Sequence, residues 1–292
     1  MEGSLVGGRL EGKVALVTGA ARGQGKSHCI RLAEEGADII AVDLCENIDT
    51  VRYPLGSDAD LADTVAHVEK TGRRIVASKA DVRDRAVLKA AVDAGVAELG
   101  GLHIVCANAG ILPIKQPATA QAFVDAMDVD FGGVLNTVAV TLPHLTAGAS
   151  VILTGSTAGM MPNTVSNPVL GPGGVGYGLA KTFIVRYTEV LALQLAPNSI
   201  RVNAVHPTNV NTNLLHNDDI YKIFRPDLEN PGADDVVPAF NAYQAMPIPY
   251  VEPRDISNAV VFFASDEARY VTGINFRIDA GSLIKWPNGP TG

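Results

Sequence analysis

The sequence alternates short apolar runs with amphipathic stretches along nearly its whole length, and this alternation constrains the fold more than any other feature. A continuous apolar run is typical of a strand covered on both faces, whereas apolar residues at helical spacing are typical of an amphipathic helix. The runs predict about seven strands, at 13–17, 38–42, 74–78, 103–106, 150–154, 200–205 and 275–278. The stretches between them predict helices at 27–35, 61–72, 87–99, 120–141, 178–195 and 256–264. This order predicts an α/β fold with a doubly wound parallel sheet of the Rossmann type.

Three segments do not fit the alternation: 46–57 is polar, 160–176 is rich in Gly, Pro and Asn, and 209–252 is long and weakly periodic. Each follows a predicted strand, so we expect all three near the carboxyl edge of the sheet, where open α/β folds bind ligands. We interpret the first two as insertions and 209–252 as a substrate lid, all within a single domain spanning residues 1–292.

The composition argues against several classes of function. A net charge of −8 and a pI near 5.2 argue against binding to nucleic acid or to an anionic membrane. The three cysteines form no C-x-x-C pair, which argues against a disulfide framework and against zinc, and we expect no metal. The sequence lacks a spanning apolar run and a basic-then-apolar leader, so a cytoplasmic location is expected.

A glycine-rich turn, TGAARGQG at 18–25, follows the first predicted strand. Gly19, Gly23 and Gly25 would let backbone N–H groups approach a diphosphate, and the next helix would direct its positive end at that charge. Arg22 and Gln24 lie in the same turn and belong to the expected cofactor site. A merely structural turn is the alternative, but the strand before it and the helix after it favour a dinucleotide.

Asp43 ends the second predicted strand, 18 residues after the last glycine of that turn. A carboxylate there accepts from a ribose 2′-hydroxyl and repels a 2′-phosphate, so Asp43 favours NAD over NADP, and neighbouring Leu44 is expected in the same cofactor site. Arg22 is a contrary signal, because a cation in the turn could hold that phosphate. Asp81 and Val82 follow the third strand and are expected near the adenine; an ordinary helix N-cap is the alternative for Asp81.

Tyr177 and Lys181 are four residues apart, and on a helix they would share one face. A free tyrosine has a pKa of about 10, and a nearby ammonium group lowers it by stabilising the phenolate. Ser156 ends the fifth predicted strand, where its hydroxyl could orient a substrate oxygen toward Tyr177. A solvated helix face is the alternative for the Tyr-Lys pair, and Ser156 favours proton transfer instead.

The segment HPTNVNT at 206–212 ends the sixth predicted strand. We expect its backbone around Pro207 and Val210, together with the Thr212 hydroxyl, to bind the amide of a nicotinamide. His206 suggests a catalytic role, but we interpret it as structural.

These residues together resemble the short-chain dehydrogenase/reductase family, and within it the carveol dehydrogenase-like, mycofactocin-associated branch. The motifs that carry the resemblance are TGAARGQG at 18–25, Asp43, Asp81-Val82, Ala107-Asn108-Ala109-Gly110, Ser156, Tyr177 with Lys181, and Val271-Thr272-Gly273. The branch is suggested by ARGQGKSH at 21–28, HPTNVNT at 206–212 and the insertion near 46–57.

The resemblance implies that Tyr177 is the general acid/base, that Lys181 lowers its pKa and holds the nicotinamide ribose, and that Ser156 positions the substrate oxygen. It further implies that Asn108, Ala109 and Gly110 border the ribose and nicotinamide. The resemblance to that branch also implies that NAD does not exchange freely and that electrons pass to a mycofactocin-type redox partner. A homotetramer is expected from the family.

The sequence departs from the family pattern in two places. Asp130 stands where the family usually has an asparagine, and nearby Asn136 is out of register. We include Asp130 among the catalytic residues, with the hypothesis that an ionised carboxylate competes for the Lys181 ammonium. The second departure is the 21-residue separation of Ser156 and Tyr177, which exceeds that of simpler members.

The pocket candidates Met160 and Leu214 are apolar, and no arginine is placed to bind a carboxylate. We therefore expect the substrate to be a hydrophobic secondary alcohol or ketone that resembles carveol, another terpenoid or a steroid. An extended epimerase or dehydratase is disfavoured by the glycine spacing of the turn. The remaining alternative is a non-catalytic NAD-binding regulator on the same scaffold, which would tolerate the loss of Tyr177, Lys181 or Ser156.

Overall fold

The computed structural model describes residues 8–114, 119–164 and 168–287. Within these ranges no helix is long and apolar enough to cross a membrane. Residues 165–167 of the expected insertion at 160–176 lie outside the described residues.

Seven parallel strands form one sheet in the order β3-β2-β1-β4-β5-β6-β7, which confirms the predicted doubly wound α/β fold. The order reverses between β1 and β4, and this switch point opens a crevice at the carboxyl edge of the sheet. The strands are β1 Val14–Thr18, β2 Asp38–Asp43, β3 Ile75–Lys79, β4 Ile104–Ala107, β5 Ser150–Thr154, β6 Arg201–Pro207 and β7 Asn275–Ile278.

Helices cover both faces of the sheet and bury the apolar strands between them. The helices are α1 Gly23–Glu34, α2 Asp58–Glu69, α3 Arg85–Leu99, α4 Ala120–Met127, α5 Gly133–Thr141, α6 Gly171–Leu195, α7 Asp218–Phe224, α8 Ala233–Tyr243, α9 Pro253–Ala264 and α10 Ser282–Lys285. The predicted helix at 120–141 is interrupted by a π-helical turn, Asp128–Gly132, between α4 and α5.

Segment 160–176 was expected to be irregular throughout, but its last six residues are helical, because α6 begins at Gly171 rather than near 178. Its first turn contains a proline, which suits that position. The glycines are required by close packing, not by a loop: a Cβ on Gly173 would lie 1.7 Å from the Pro113 carbonyl oxygen, and one on Gly176 would lie 2.7 Å from that of Phe123. Tyr177 therefore lies inside a helix, as its seventh residue.

The 209–252 segment is also more regular than its sequence suggests, because it contains α7 and α8. Asn217 caps α7 by accepting from the Ile220 N–H at 3.0 Å. Pro238 lies within α8 and obscures its helical pattern in the sequence. The two helices share a small apolar core that includes Leu215, Ile220, Val236 and Phe240 with Ile114 beneath it. This core lies beside the carboxyl edge of the sheet, over the site described next.

Candidate active site

The glycine-rich turn after β1 has the shape that a bound diphosphate needs. Gly19 and Gly23 have φ angles of +69° and +55°, in the region that favours glycine. A Cβ on Gly25 would lie 1.9 Å from the Gly19 carbonyl oxygen, so no other residue fits there. Helix α1 begins at Gly23, four residues earlier than the sequence predicts, and its free N–H groups face the cleft.

Most of the expected cofactor residues line one cleft at the switch point of the sheet. These are Gly19, Arg22, Gly23, Gln24, Gly25, Asp43, Leu44, Asp81, Val82, Asn108, Ala109, Gly110, Tyr177, Lys181 and Thr212. Pro207 and Val210 instead line an adjoining apolar cavity, together with Ser156 and Leu214. Met160 is half-buried and is not among the described residues that line either space.

Asp43 is held rigidly at the adenosine end of the cleft. One carboxylate oxygen accepts from the Ala21 N–H at 2.9 Å and the other from the Cys45 N–H at 3.0 Å. Each oxygen keeps a lone pair for a ribose hydroxyl, so the donor and acceptor set here fits an adenosine ribose. Together with the glycine turn, this arrangement fits a dinucleotide. Among the described residues, no group of His, Cys, Asp or Glu could hold a metal ion.

The sequence did not identify the side chains that close the cleft from the solvent side. Residues 46–57, which we call the strap, contribute Ile48, Tyr53, Leu55 and Gly56 to the cleft wall. Tyr53 is buried, and its hydroxyl oxygen accepts from the Leu112 N–H at 3.0 Å. The only signal in the sequence was that this stretch breaks the alternation.

The expected reactive groups lie together where the cleft meets the apolar cavity. Tyr177 lines both spaces, and Ser156, which lines the cavity, is close enough to the phenol to lower the pKa of Tyr177. The Lys181 Nζ lies 5.4 Å from the centre of the Tyr177 ring and donates to the Thr154 carbonyl at 3.0 Å. The i and i+4 positions on α6 therefore share one face, as expected.

Asp130 enters this site through the π-helical turn, which places its side chain beneath the lysine. The carboxylate is fully buried, with Oδ1 3.0 Å from the Lys181 Nζ and Oδ2 accepting from the Ile111 N–H at 3.2 Å. A Cβ on Gly110 would lie 2.6 Å from the Asp130 oxygen, so glycine is needed at 110 to make room. Burial raises the pKa of Asp130, and the Lys181 ammonium opposes that rise.

The pKa of Tyr177 is set by opposing effects of its surroundings. Burial raises the pKa of the phenol, and this effect outweighs the lowering by Lys181 and by the Ser156 hydrogen bond. The Asp130 carboxylate raises the same pKa further. Lys181 itself is buried, which lowers its pKa, but the negative groups Asp130 and Tyr177 raise that pKa overall. The ion pair between Asp130 and Lys181 therefore supports the hypothesis that Asp130 competes with the phenolate for the Lys181 ammonium.

His206 does not reach the reacting groups but holds the backbone beside Ser156. The Asn275 side chain donates to the Val185 carbonyl at 3.1 Å, so its oxygen faces the His206 Nε2 at 2.9 Å. This contact places the ring proton on Nε2 and leaves Nδ1 to accept from the Ser156 N–H at 3.2 Å. Burial lowers the pKa of His206, which keeps the ring neutral. This contact is consistent with the structural interpretation of His206.

Comparison with known proteins agrees with this geometry. A family model described as short chain dehydrogenase matches residues 13–220. The chain is 44% identical over 283 residues to (-)-trans-carveol dehydrogenase of Rhodococcus erythropolis, covering 95% of this chain and 99% of that protein.

Two solved structures are similar along almost the whole chain. One is carveol dehydrogenase from Mycobacterium avium in complex with NAD, with a TM-score of 0.88, 45% identity, and coverage of 95% of this chain and 99% of that one. The other is a short chain dehydrogenase from Mycobacterium paratuberculosis bound to NAD, with a TM-score of 0.82, 38% identity, and coverage of 95% and 100%.

Replacing Asp130 with Asn removes a negative charge that raises the pKa of Tyr177. We expect the rise of alcohol oxidation with pH to move to lower pH, because the phenolate forms more readily. The measurement is kcat against pH for the wild type and Asp130→Asn. Asp128→Asn, in the same turn but exposed, is the matched control and should keep the wild-type profile. An unshifted Asp130→Asn profile would contradict the hypothesis.

Replacing His206 with Leu leaves the Ser156 N–H without its acceptor. We expect kcat to fall roughly tenfold, the scale on which small misplacements near reacting groups act, with cofactor affinity unchanged. Gly155→Ala should have the same effect, since its Cβ would lie 2.2 Å from the His206 ring. Steady-state kinetics and cofactor titration measure both quantities. Wild-type kcat in the two variants would show that His206 does not position Ser156.

Proposed function

Because the chain belongs to the short-chain dehydrogenase/reductase family, we propose that this NAD-dependent alcohol dehydrogenase acts on hydrophobic secondary alcohols and the corresponding ketones. The observation that carries the proposal is the position of Tyr177, which lines both the cofactor cleft and the apolar cavity. A substrate in the cavity can therefore reach the phenol and the cofactor at once. The alternative of a non-catalytic NAD-binding regulator gains no support, because the chain keeps Ser156, Tyr177 and Lys181, which such a protein would tolerate losing.

When bound, NAD supplies the acceptor for the hydride of the carbinol carbon. The Ser156 hydroxyl orients the substrate oxygen, and Tyr177 takes its proton during oxidation or returns it during reduction. Lys181 stabilises the phenolate from beneath. One of its N–H donors goes to the Thr154 carbonyl, and the ammonium forms an ion pair with Asp130, so an N–H remains for a ribose hydroxyl of the cofactor.

The cavity supports the proposed substrate class. It has a volume of about 950 Å³, near the upper end for small-molecule sites. None of the described residues that line it is charged, and the wall is formed largely by Leu112, Leu214, Leu215, Phe224 and similar side chains. The Ser156 and Tyr177 hydroxyls lie at the end next to the cofactor cleft. This arrangement favours a bulky apolar body with one hydroxyl or carbonyl, such as a carveol-like terpenoid or a steroid.

The strap supports the proposal that NAD does not exchange freely. Thr50 donates to Asp125 at 2.6 Å, and Tyr53 is fixed to Leu112, so contacts on both sides hold the strap over the cleft. Arg52 forms an ion pair with Asp219 of α7 at 3.2 Å. A trapped cofactor must be reoxidised in place, which fits electron transfer to a mycofactocin-type redox partner.

We also propose a homotetramer in the cytoplasm. Helix α6 exposes Phe183, Val190 and Leu193, the last of them 78% exposed, and Val124 of α4 is exposed as well. An exposed apolar stripe on long helices is typical of an interface between subunits. Cys29, Cys45 and Cys106 are all buried free thiols, as expected in a reducing compartment.

The central test measures oxidation of cyclic terpenoid and steroid secondary alcohols, with an artificial electron acceptor and with added NAD in parallel. Tyr177→Phe should reduce turnover at least about a hundredfold, because it removes the proton acceptor. NAD binding should persist in the variant, since the diphosphate and ribose contacts remain. Turnover by Tyr177→Phe at the wild-type rate would refute the assigned chemistry.

Replacing Tyr53 with Ala removes a buried ring from the cleft wall and the acceptor of the Leu112 N–H. We expect NAD to co-purify with the wild type, and to dissociate faster from Tyr53→Ala. The measurement is the exchange of bound NAD for isotopically labelled NAD, followed by mass spectrometry. Tyr270→Ala, at a side chain that is 89% exposed, is the control and should behave as wild type. Equal exchange rates in all three proteins would argue against trapping by the strap.

A further inference from the structure

The chain after β7 folds back into a short segment, residues 279–286, which we call the C-terminal hook. The two oxygens of the Asp279 side chain fix its turn: one accepts from the Gly281 N–H at 3.0 Å and the other from the Leu283 N–H at 3.0 Å. Gly281 has a φ angle of +77°, and a Cβ there would lie 2.8 Å from the Ala245 side chain, so glycine is needed for the turn. The hook therefore has a defined geometry beside the end of α8.

The end of the hook is bound to the last carbonyl groups of α8. The Lys285 Nζ donates to the carbonyls of Ala242 and Gln244 at 2.6 and 2.7 Å. The Trp286 Nε1 donates to the carbonyl of Tyr243 at 3.0 Å. Carbonyls in the last turn of a helix lack partners within the helix, and a cation near them is favourable. Three hydrogen bonds from two adjacent residues thus fix the place of the Trp286 side chain.

The Trp286 side chain forms part of the wall of the apolar cavity and does not line the cofactor cleft. Ala242 and Tyr243, whose carbonyls hold the hook, line the same cavity. Because the indole N–H is occupied by the Tyr243 carbonyl, the ring offers the cavity an apolar aromatic face. The Tyr243 hydroxyl is occupied as well, since it donates to the Met161 Sδ at 3.0 Å. This part of the wall therefore offers a ligand apolar contact rather than hydrogen bonds.

We propose that Trp286 determines how large an apolar body the cavity accepts, by packing its ring against the body of the bound alcohol or ketone. The proposal rests on the proposed function and adds the residue that selects among its substrates. Replacing the indole with a methyl group enlarges a cavity that already measures about 950 Å³. A small substrate then faces a void and loses dispersion contacts, whereas a larger one reaches into the new space. The ring therefore favours the smaller of two substrates that carry the same reacting group.

The test measures the affinity of NAD-saturated protein for two ketones, carvone with one ring and androstenedione with four, by isothermal titration calorimetry. Neither ketone can be reduced while the cofactor is oxidised, so binding is measured without turnover. Trp286→Ala should weaken carvone about tenfold, the scale of losing one or two buried methylene contacts, and change androstenedione less than about twofold. Trp286→Phe keeps an aromatic face and should weaken carvone by an intermediate factor.

The fluorescence of the wild type gives a second readout, because Trp286 is the only tryptophan in the sequence. Its emission should change when carvone binds, in proportion to the occupancy found by calorimetry. ADP-ribose, which occupies the cleft that Trp286 does not line, should leave the emission unchanged in protein freed of nucleotide.

Ile284→Ala is the matched control, because this side chain of the same hook is 72% exposed, and both ketone affinities should stay as in wild type. The NAD affinity of Trp286→Ala should also be that of the wild type, which reports an intact cleft. Equal weakening of the two ketones would make Trp286 a structural support of α8 and overturn the proposal. Unchanged affinities for both ketones would overturn it too. The ratio of the two affinities needs no catalysis, so failure of the proposed alcohol oxidation would leave it intact.

Discussion

The buried ion pair between Lys181 and Asp130 is the interaction on which the rest of the active site depends. Neither charge reaches solvent, so each is stabilised chiefly by the other and by the backbone groups of Thr154 and Ile111. Removing one partner of such a pair leaves an uncompensated buried charge. The π-helical turn and the glycine at 110 both serve this contact, the first by bringing the carboxylate inward and the second by leaving room for it.

The same pair sets the proton chemistry of Tyr177. The lysine lowers the pKa of the phenol, whereas burial and the Asp130 carboxylate raise it. The pKa of Tyr177 therefore depends on how far these opposing effects cancel. A positive charge that is shared with Asp130 stabilises the phenolate less than a free one would. The backbone of Ser156 is held independently, by His206 and Asn275 on the opposite side. Positioning of the substrate oxygen and tuning of the base therefore depend on different contacts.

Much of the fold could be predicted from the sequence, because buried parallel strands are continuous apolar runs and their order follows from the alternation with helices. The glycine turn, Asp43 and the pair on α6 were also accessible, because local spacing determines where they lie. The start of α6 was missed because its glycines serve packing rather than a loop. The contact of Asp130 with Lys181 was anticipated from the family resemblance. The backbone partner of Asp130 at Ile111, the partners of His206 and the contacts of the strap could not be predicted, since each joins residues far apart in the chain.

The ion pair between Arg52 of the strap and Asp219 of α7 joins two elements that cover different ligands. One element lies over the cofactor cleft, and the other belongs to the wall of the alcohol cavity. Free energy transmitted between two binding sites is reciprocal. Whatever this bridge adds to the affinity for the dinucleotide when an alcohol is bound, it adds equally to the affinity for the alcohol when the dinucleotide is bound, so a change in the bridge alters both affinities together.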